Sequence, residues 1–383
     1  MDRIFVQIAS YRDKELPFTI ESCLDRSRYP DRLSFGICWQ YDEATMLDLD
    51  QWIGDNRFRI EPFYYRESRG CCWARHRTNR LYRDEMYTLQ IDSHTRFAQD
   101  WDEKCIEMLG SIDHDKPLLT IYPPPYRIID GREELTLDRG IQRLKMAKFR
   151  RNLTTMQSTI PACDTTAPGK SPFLAAGMIF TLGRFCREVE YDPNMYFEGE
   201  EISLAVRAYT WGYNFYYPNE DLLWHYYDHD MPLHWSDHAL THTTLRKGAI
   251  ERLQHLVLGR DHELIPYGLG PNRTLEEFET YADICFRERA ERQRNPVDYL
   301  KTLQLNTSEI DARDDYQYWI FCLLDEDDEE LYRYDIKDDR ILTKCADHVE
   351  IQTRLTDTPV QYLLWPYSSR DGFGPRLVYP LEP

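Results

Sequence analysis

The sequence lacks the long apolar run that a membrane span requires. No uncharged apolar stretch approaches the ~20 residues needed to cross a bilayer. The N-terminus, MDRIFVQIAS, shows no basic stretch followed by an apolar one, so no signal peptide is expected. Neither C-x-x-C nor H-E-x-x-H occurs, which removes the common zinc-ribbon and zinc-protease spacings. The ten cysteines are scattered, and Cys23, Cys38, Cys105 and Cys186 sit inside apolar patterns. Without an export signal, most are expected to be small buried hydrophobes, and the adjacent pair Cys71-Cys72 is not a zinc pattern. A cytoplasmic location is the expectation. Positive charge is also short: 47 Lys+Arg stand against 66 Asp+Glu, a net charge of −19. Such a chain is a poor general binder of nucleic acid or anionic lipid. An anionic ligand would need a local basic cluster or a bound cation. No internal repeat is visible, and the acidic tract Asp325–Glu330 is the one low-complexity stretch.

What is present is a chain of 383 residues, long enough for two or three domains, and 42% hydrophobic, which excludes wholesale disorder. Short apolar runs alternate with helical patterns. Strands are expected at 4–9, 33–40, 60–65, 86–91 and 118–122. Helices are expected after Pro17, over 70–82 and over 101–109. This alternation argues an α/β sheet with parallel strands. Residues 150–172, polar and rich in proline, read as a mobile loop. A strand-like run at 173–180, a helix at 201–210 and short strands at 215–217 and 222–224 follow. Residues 239–290 read as helical with a break near Pro266–Pro271. The domains expected are 1–260 (catalytic), 261–310 (a helical linker) and 311–383 (small and β-rich).

The strand MYTLQI ends on Asp92-Ser93-His94. Alternate residues of a strand share a face, so the carboxylate and the imidazole can reach one divalent ion at the strand's C-terminal end, where open α/β sheets bind ligands. Such a pair suits Mn²⁺ or a similar ion. The plain alternative is a capping Asp and a surface His. Upstream, Arg66, Arg69, Arg75, Arg77, Arg80 and Arg83 concentrate positive charge around Gly70. A helix start flanked by arginines suits a diphosphate, and a solvated basic helix face is the competing reading. Downstream, Glu198, Glu200 and Glu201 surround Gly199 at a helix start. They read as helix caps, or as carboxylates that position or deprotonate a hydroxyl. His225, His229, His234, His238 and His242 fall within eighteen residues. They allow a zinc site or a surface helix, but His225 follows a short strand and is favoured as a lone ligand to the Asp92/His94 metal.

In combination, IFVQIASYRDKE (4–15), RESRGCCWARH (66–76), LQIDSHTRF (89–97), FLAAGMIFTLGRF (173–185), FEGEEISLAVRAYTWGYNFYYP (197–218) and HYYDHDMPLHWSDH (225–238) resemble GT-A-fold nucleotide-sugar glycosyltransferases. More narrowly, they are similar to polypeptide N-acetylglucosaminyltransferases that modify hydroxyproline on a cytosolic ubiquitin-ligase adaptor, and to the bacterial relatives of that family. The resemblance covers roughly residues 1–260. It implies a GT-A α/β core with a small β-rich C-terminal appendage, and a retaining enzyme that uses a UDP-sugar, UDP-GlcNAc foremost, with Mn²⁺ or Mg²⁺. By likeness to the more distant mucin-type GalNAc-transferases it implies Asp92, His94 and His225 as metal ligands and an acceptor- or sugar-side role for Glu200 or Glu201. Tyr11 or Asp13 would contact uridine, and an arginine among Arg66, Arg69 and Arg75 the diphosphate. His234, Trp235 and His238 would belong to a segment closing over UDP. The acceptor expected is a protein or peptide hydroxyl. The mucin-type lectin domain has no counterpart here. Two other readings compete: a metal-dependent hydrolase built on the 225–242 histidines, and a non-catalytic nucleotide-sugar or glycan-binding module.

Overall fold

The computed structural model describes residues 2–381 apart from 44–45, 47–48, 50, 138–139, 151, 163–164, 228–231, 292–296, 305–315, 325–329, 337–347, 356–358, 369 and 371. Most of the acidic 325–330 tract therefore lies outside the described residues. The chain divides into two compact units, Met1–Arg289 and Ala290–Pro383.

The first unit opens with β1 (Ile4–Tyr11), α1 (Leu16–Asp25), β2 (Leu33–Tyr41), β3 (Phe58–Tyr64), α2 (Cys71–Asn79), β4 (Tyr87–Asp92), β5 (Thr95–Phe97) and α3 (Trp101–Gly110). It continues with β6 (Pro117–Thr120), β7 (Pro125–Ile129), β8 (Arg132–Leu135), β9 (Gln142–Phe149), β10 (Thr155–Pro161), β11 (Gly169–Lys170) and β12 (Met178–Leu182). Then come α4 (Phe185–Glu188), α5 (Glu200–Thr210), β13 (Asn214–Tyr217), β14 (Leu223–Tyr226), α6 (His234–Asp237), α7 (Ala239–Val257) and α8 (Leu275–Tyr281).

Eight strands form the central sheet in the order β11-β13-β6-β12-β4-β1-β2-β3. β1 to β4 pair in parallel, as the alternation of strand and helix implies. The sheet is not parallel throughout: β12 runs antiparallel between β4 and β6, and β11 runs antiparallel to β13. β1 is buried along nearly its whole length because both faces are covered. The faces separate two cores. Leu118, Ile179 and Phe215 join one, with α5 and α7, while their neighbours Leu119, Phe180 and Tyr216 join the other, with β1 and α1. That split is the period-2 alternation of strands in three dimensions. A smaller sheet, β5-β14-β7-β8, adjoins the end of β4.

Two further expectations change. Residues 150–172 are not a simple loop, since β10 lies within them and pairs with the preceding β9 as an antiparallel hairpin. Its polar, proline-bearing sequence hides this because few of its side chains are buried. Nor is 261–310 a helical linker. Thr274 caps α8 through a reciprocal box with Glu277, and Phe278, Ile284 and Phe286 are buried in the first unit's core, so this stretch belongs to that unit up to Arg289. Val297–Gln304 is a strand.

The second unit is β-rich and begins before residue 311. Val297–Gln304 pairs with His348–Leu355, and Tyr316–Leu324 lies between Glu330–Ile336 and Gln361–Ser368. Trp319, Phe321 and Leu364 centre its own core. No helix among the described residues is long and apolar enough to cross a membrane.

Each described core lies wholly within one unit. A chain ending after Arg289 is therefore expected to unfold in one cooperative thermal transition. Loss of that transition would show that the first unit needs residues 290–383.

Candidate metal centre and donor cavity

The candidate centre forms where β4 ends. Asp92 is its last residue and His94 follows two positions later. β14 pairs with β5 in the register His225↔Thr95, which places His225 beside His94 although 131 positions separate them. Nε2 of His225 lies 3.0 Å from Nε2 of His94 and 3.1 Å from Oδ2 of Asp92. One donor atom from each of the three falls within 4.8 Å of the others. The three residues that the sequence assigned to one cation are thus brought together.

The donor set fits a divalent ion. Two ligands about 2.1 Å from one ion and at right angles to each other lie about 3.0 Å apart, which matches both separations from His225. Nδ1 of His94 is 2.7 Å from Oδ2 of Asp13. A carboxylate only accepts, so His94 carries its proton on Nδ1 and turns the lone pair of Nε2 toward the other two donors. One carboxylate and two imidazoles suit Mn²⁺.

Asp13, expected at uridine, is engaged by the residues of the candidate centre. It is buried, and its oxygens accept from His94, the Ser93 hydroxyl and the Glu15 backbone N–H. Burial disfavours charge on His94, but Asp13, Asp92 and Glu15 together raise its pKa.

Arg75, expected to meet the diphosphate, borders the cavity at the centre with its guanidinium buried between two carboxylates. Nη2 donates to Oδ1 of Asp92 at 2.6 Å. Nε lies 3.1 Å from Oε1 of Glu200, an ion pair not aligned as a hydrogen bond. Burial opposes the Asp92 charge, yet Arg75, with His225 and His94, holds its pKa well below the usual carboxylate range. Gly70 lets α2 deliver Arg75. Its φ is +104°, and a Cβ there would stand 2.7 Å from the Tyr196 ring.

Arg66 and Arg69 do not join the centre. Arg66 is exposed, with its Nε bonded to the Tyr65 hydroxyl. Arg69 lines a separate cavity of about 480 Å³ with Met195, Thr244 and Arg252, which holds none of the three candidate ligands. The cavity at the centre measures about 380 Å³ and is bordered by Cys71, Arg75, Asp92, Glu200, Glu201 and His225, with Tyr122 and Tyr227.

Glu200 and Glu201 open α5 after Gly199, whose φ is +86°. Oε1 of Glu201 accepts from the Ala176 N–H at 2.9 Å, and Oε2 accepts from the Tyr122 hydroxyl. Burial, aided by Glu200 and Asp92, raises the Glu201 pKa to about 7, against the lowering effect of Tyr122 and Ala176. Sequence reasoning missed Tyr122, whose signal is its place between the strand at β6 and Pro123-Pro124-Pro125.

The remaining predicted residues lie around the end of β1. Tyr11 donates to Asp237 at 2.8 Å, and Nη1 of Arg12 pairs with the same carboxylate at 2.6 Å. His234 is held by the Tyr196 hydroxyl and Ser68, and its ring stacks on His238 at 4.1 Å. Burial and His238 lower its pKa to about 4, so it is neutral at physiological pH. His238 bonds the Tyr65 carbonyl, and Trp235 packs on Phe197 at 5.5 Å. Residues 228–231 of the closing segment are outside the described residues. Among the described residues, His234, His238 and His242 enter no three-ligand group.

Comparison with known proteins bears on this arrangement. The profile of the family described as Glycosyltransferase (GlcNAc) matches residues 3–52 and 45–288. No curated protein matches the chain. Among solved structures, GalNAc-T7 with UDP, GalNAc and Mn²⁺ is similar at 14% identity and a TM-score of 0.53, over 99% of this chain and 72% of that one. TarS 1–349 of S. aureus in complex with UDP-GlcNAc is similar at 11% identity and a TM-score of 0.43, over 75% and 72%. Mannosyltransferase PcManGT from Pyrobaculum calidifontis, in complex with GDP-Man and Mn²⁺, is similar at 14% identity and 0.42, over 74% and 70%. The likeness to GalNAc-T7 is one of fold. Together with the family match, the sheet and the strand-end ligand group define a GT-A-type nucleotide-sugar glycosyltransferase with a candidate metal centre. The match spans more than half of the sequence, and the chain belongs to the Glycosyltransferase (GlcNAc) family.

Two outcomes are expected. Asp13→Ala removes the acceptor that orients His94 and should weaken Mn²⁺ binding by roughly 10–100-fold; calorimetry showing unchanged affinity would remove Asp13 from the centre. Glu201 has a folded pKa of about 7 against an ordinary value of 4.5, so between these values the folded chain keeps a proton that the unfolded chain has lost. Stability then falls as pH rises through that window. Glu201→Gln should stabilise the chain at pH 8 by on the order of 1–3 kcal/mol and leave it nearly unchanged at pH 4. Thermal melts with the same pH slope in both proteins would contradict this.

Proposed function

We propose that the chain transfers a sugar, GlcNAc, from UDP-GlcNAc to a hydroxyl of a protein or peptide acceptor with retention, in the cytoplasm. The observation that carries this reading is the convergence of Asp92, His94 and His225 at a cavity that also holds Glu200 and Glu201. The family description supports GlcNAc. The resemblance to hydroxyproline-modifying transferases supports a protein hydroxyl, with hydroxyproline as the acceptor type it implies. The UDP and Mn²⁺ of the GalNAc-T7 structure support the donor and the ion.

The residues divide the work. Asp92, His94 and His225 would hold Mn²⁺ (or Mg²⁺), which when bound supplies positive charge against the diphosphate leaving group. Arg75 keeps Asp92 ionised, and Asp13 keeps the Nε2 lone pair of His94 available. Glu200 and Glu201 face the same cavity and orient the sugar or the incoming hydroxyl. Glu201, poised near neutral pH, can accept the hydroxyl proton on an oxygen already held in place by Tyr122 or the Ala176 N–H. Retention follows the family resemblance, with attack from the face the leaving group departs.

Against the hydrolase reading, His225 faces Asp92 and His94 while the other described histidines of its cluster turn elsewhere. The deciding experiment is a panel of UDP-sugars assayed for Mn²⁺-dependent hydrolysis, which needs no acceptor. UDP-GlcNAc should be turned over fastest, and Asp92→Asn with His94→Ala should lose at least about 100-fold in rate. Equal turnover by the double variant, or turnover of substrates lacking a nucleotide-sugar, would defeat the proposal.

A further inference from the structure

One corner of the cavity sets two thiols that sugar transfer does not use beside Glu200. Cys71 and Cys72 are the first two residues of α2, and Glu200 is the first of α5, 129 positions beyond Cys71. Sγ of Cys71 lies 3.9 Å from Sγ of Cys72 and 3.0 Å from Oε2 of Glu200. One donor atom from each falls within 4.8 Å of the others. Cys72 is 1% exposed and Glu200 7%, while Cys71 and Glu200 both border the cavity.

Two observations point to a ligand. The Cys71 thiol has one proton but faces two acceptor oxygens, the Tyr196 carbonyl at 3.1 Å and Oε2 of Glu200 at 3.0 Å, so it can satisfy only one. Oε1 of Glu200 is buried without a hydrogen-bond partner, facing Arg75 only as an ion pair. The spacing also matches a particular coordination. Two thiolates about 2.3 Å from a tetrahedral zinc ion lie about 3.8 Å apart, against the 3.9 Å found here.

We propose that Cys71, Cys72 and Glu200 form a site for a thiophilic divalent cation of the Zn²⁺ class, separate from the carboxylate–imidazole centre. Binding forms two metal–sulfur bonds and one metal–oxygen bond and releases the two thiol protons to solvent. The fourth position faces the cavity and takes water. The three anionic donors carry one charge more than the cation neutralises, and Arg75, already beside Glu200, supplies it. Both thiols must lose a proton on binding, so protons compete and the site tightens as pH rises. Occupancy places a second cation in the donor cavity and commits Glu200 to it. Zn²⁺ is therefore expected to inhibit the transferase.

The test uses the full chain, stripped of metal with a chelator, and Cd²⁺ as the probe. Thiolate-to-cadmium charge transfer gives a near-ultraviolet band that needs no nucleotide-sugar, so failure here is distinct from failure of the transferase reading. The band should saturate at one equivalent, be displaced by Zn²⁺, and be lost in Cys71→Ser and in Cys72→Ser. It should survive Cys285→Ser and Asp92→Asn. Glu200→Gln should keep the band but weaken affinity by about tenfold or more. A band unchanged in both serine variants, or no saturation at one equivalent, would overturn the site. Should the serine variants fail to fold, Glu200→Gln decides, and an unchanged Cd²⁺ affinity overturns it.

Discussion

A single guanidinium stands between two carboxylates at the floor of the cavity, and the rest of the site depends on it. Asp92 and Glu200 reach this point from distant parts of the sequence, and Arg75 faces both from within the protein. Without it, two negative charges would face each other in a poorly solvated space, at a cost of roughly 3–5 kcal/mol for a broken buried pair. With it, Asp92 stays ionised and can serve a cation. Arg75 is itself fixed by α2, whose entry needs the positive φ of Gly70 because Tyr196 fills the space a side chain would take. Backbone geometry at one glycine thus reaches through a helix to the charge state of a ligand.

The candidate centre is equally a product of strand pairing. Neither β4 nor β14 could form it alone. The short ladder between β5 and β14 sets which residue of β14 meets His94, and a slip of one position would turn His225 to the opposite face. Behind His94, Asp13 chooses the tautomer. The geometry that can grip a diphosphate through an ion therefore rests on one ladder and one buried carboxylate.

Much of this was legible in the residues. The parallel strands β1 to β4 announce themselves as apolar runs, and the trio Asp92, His94 and His225 was reached from strand ends and the family resemblance. What stayed hidden has physical reasons. The arginines of 66–83 read as one patch, but a helix turns about 100° per residue and distributes them. Arg75 points inward, Arg77 pairs with Glu61, and Arg66 and Arg69 precede the helix on the surface. Asp13 was taken for a ligand contact because its burial is created by Ser93 and His94, eighty or more positions away. The 142–161 hairpin escaped because its strands bury few side chains. Glu200 beside Cys71 and Cys72 could not be read from spacing at all, since only the meeting of the first turns of α2 and α5 unites them.

The reversed direction of β12 carries a consequence of its own. β4 and β6 arrive at this rim, whereas β12 departs from it. Because β12 starts where β4 stops, its approach runs past the cavity, and the Ala176 amide there donates to an oxygen of Glu201. One inverted strand thus brings a backbone donor to a buried carboxylate without adding a single basic side chain.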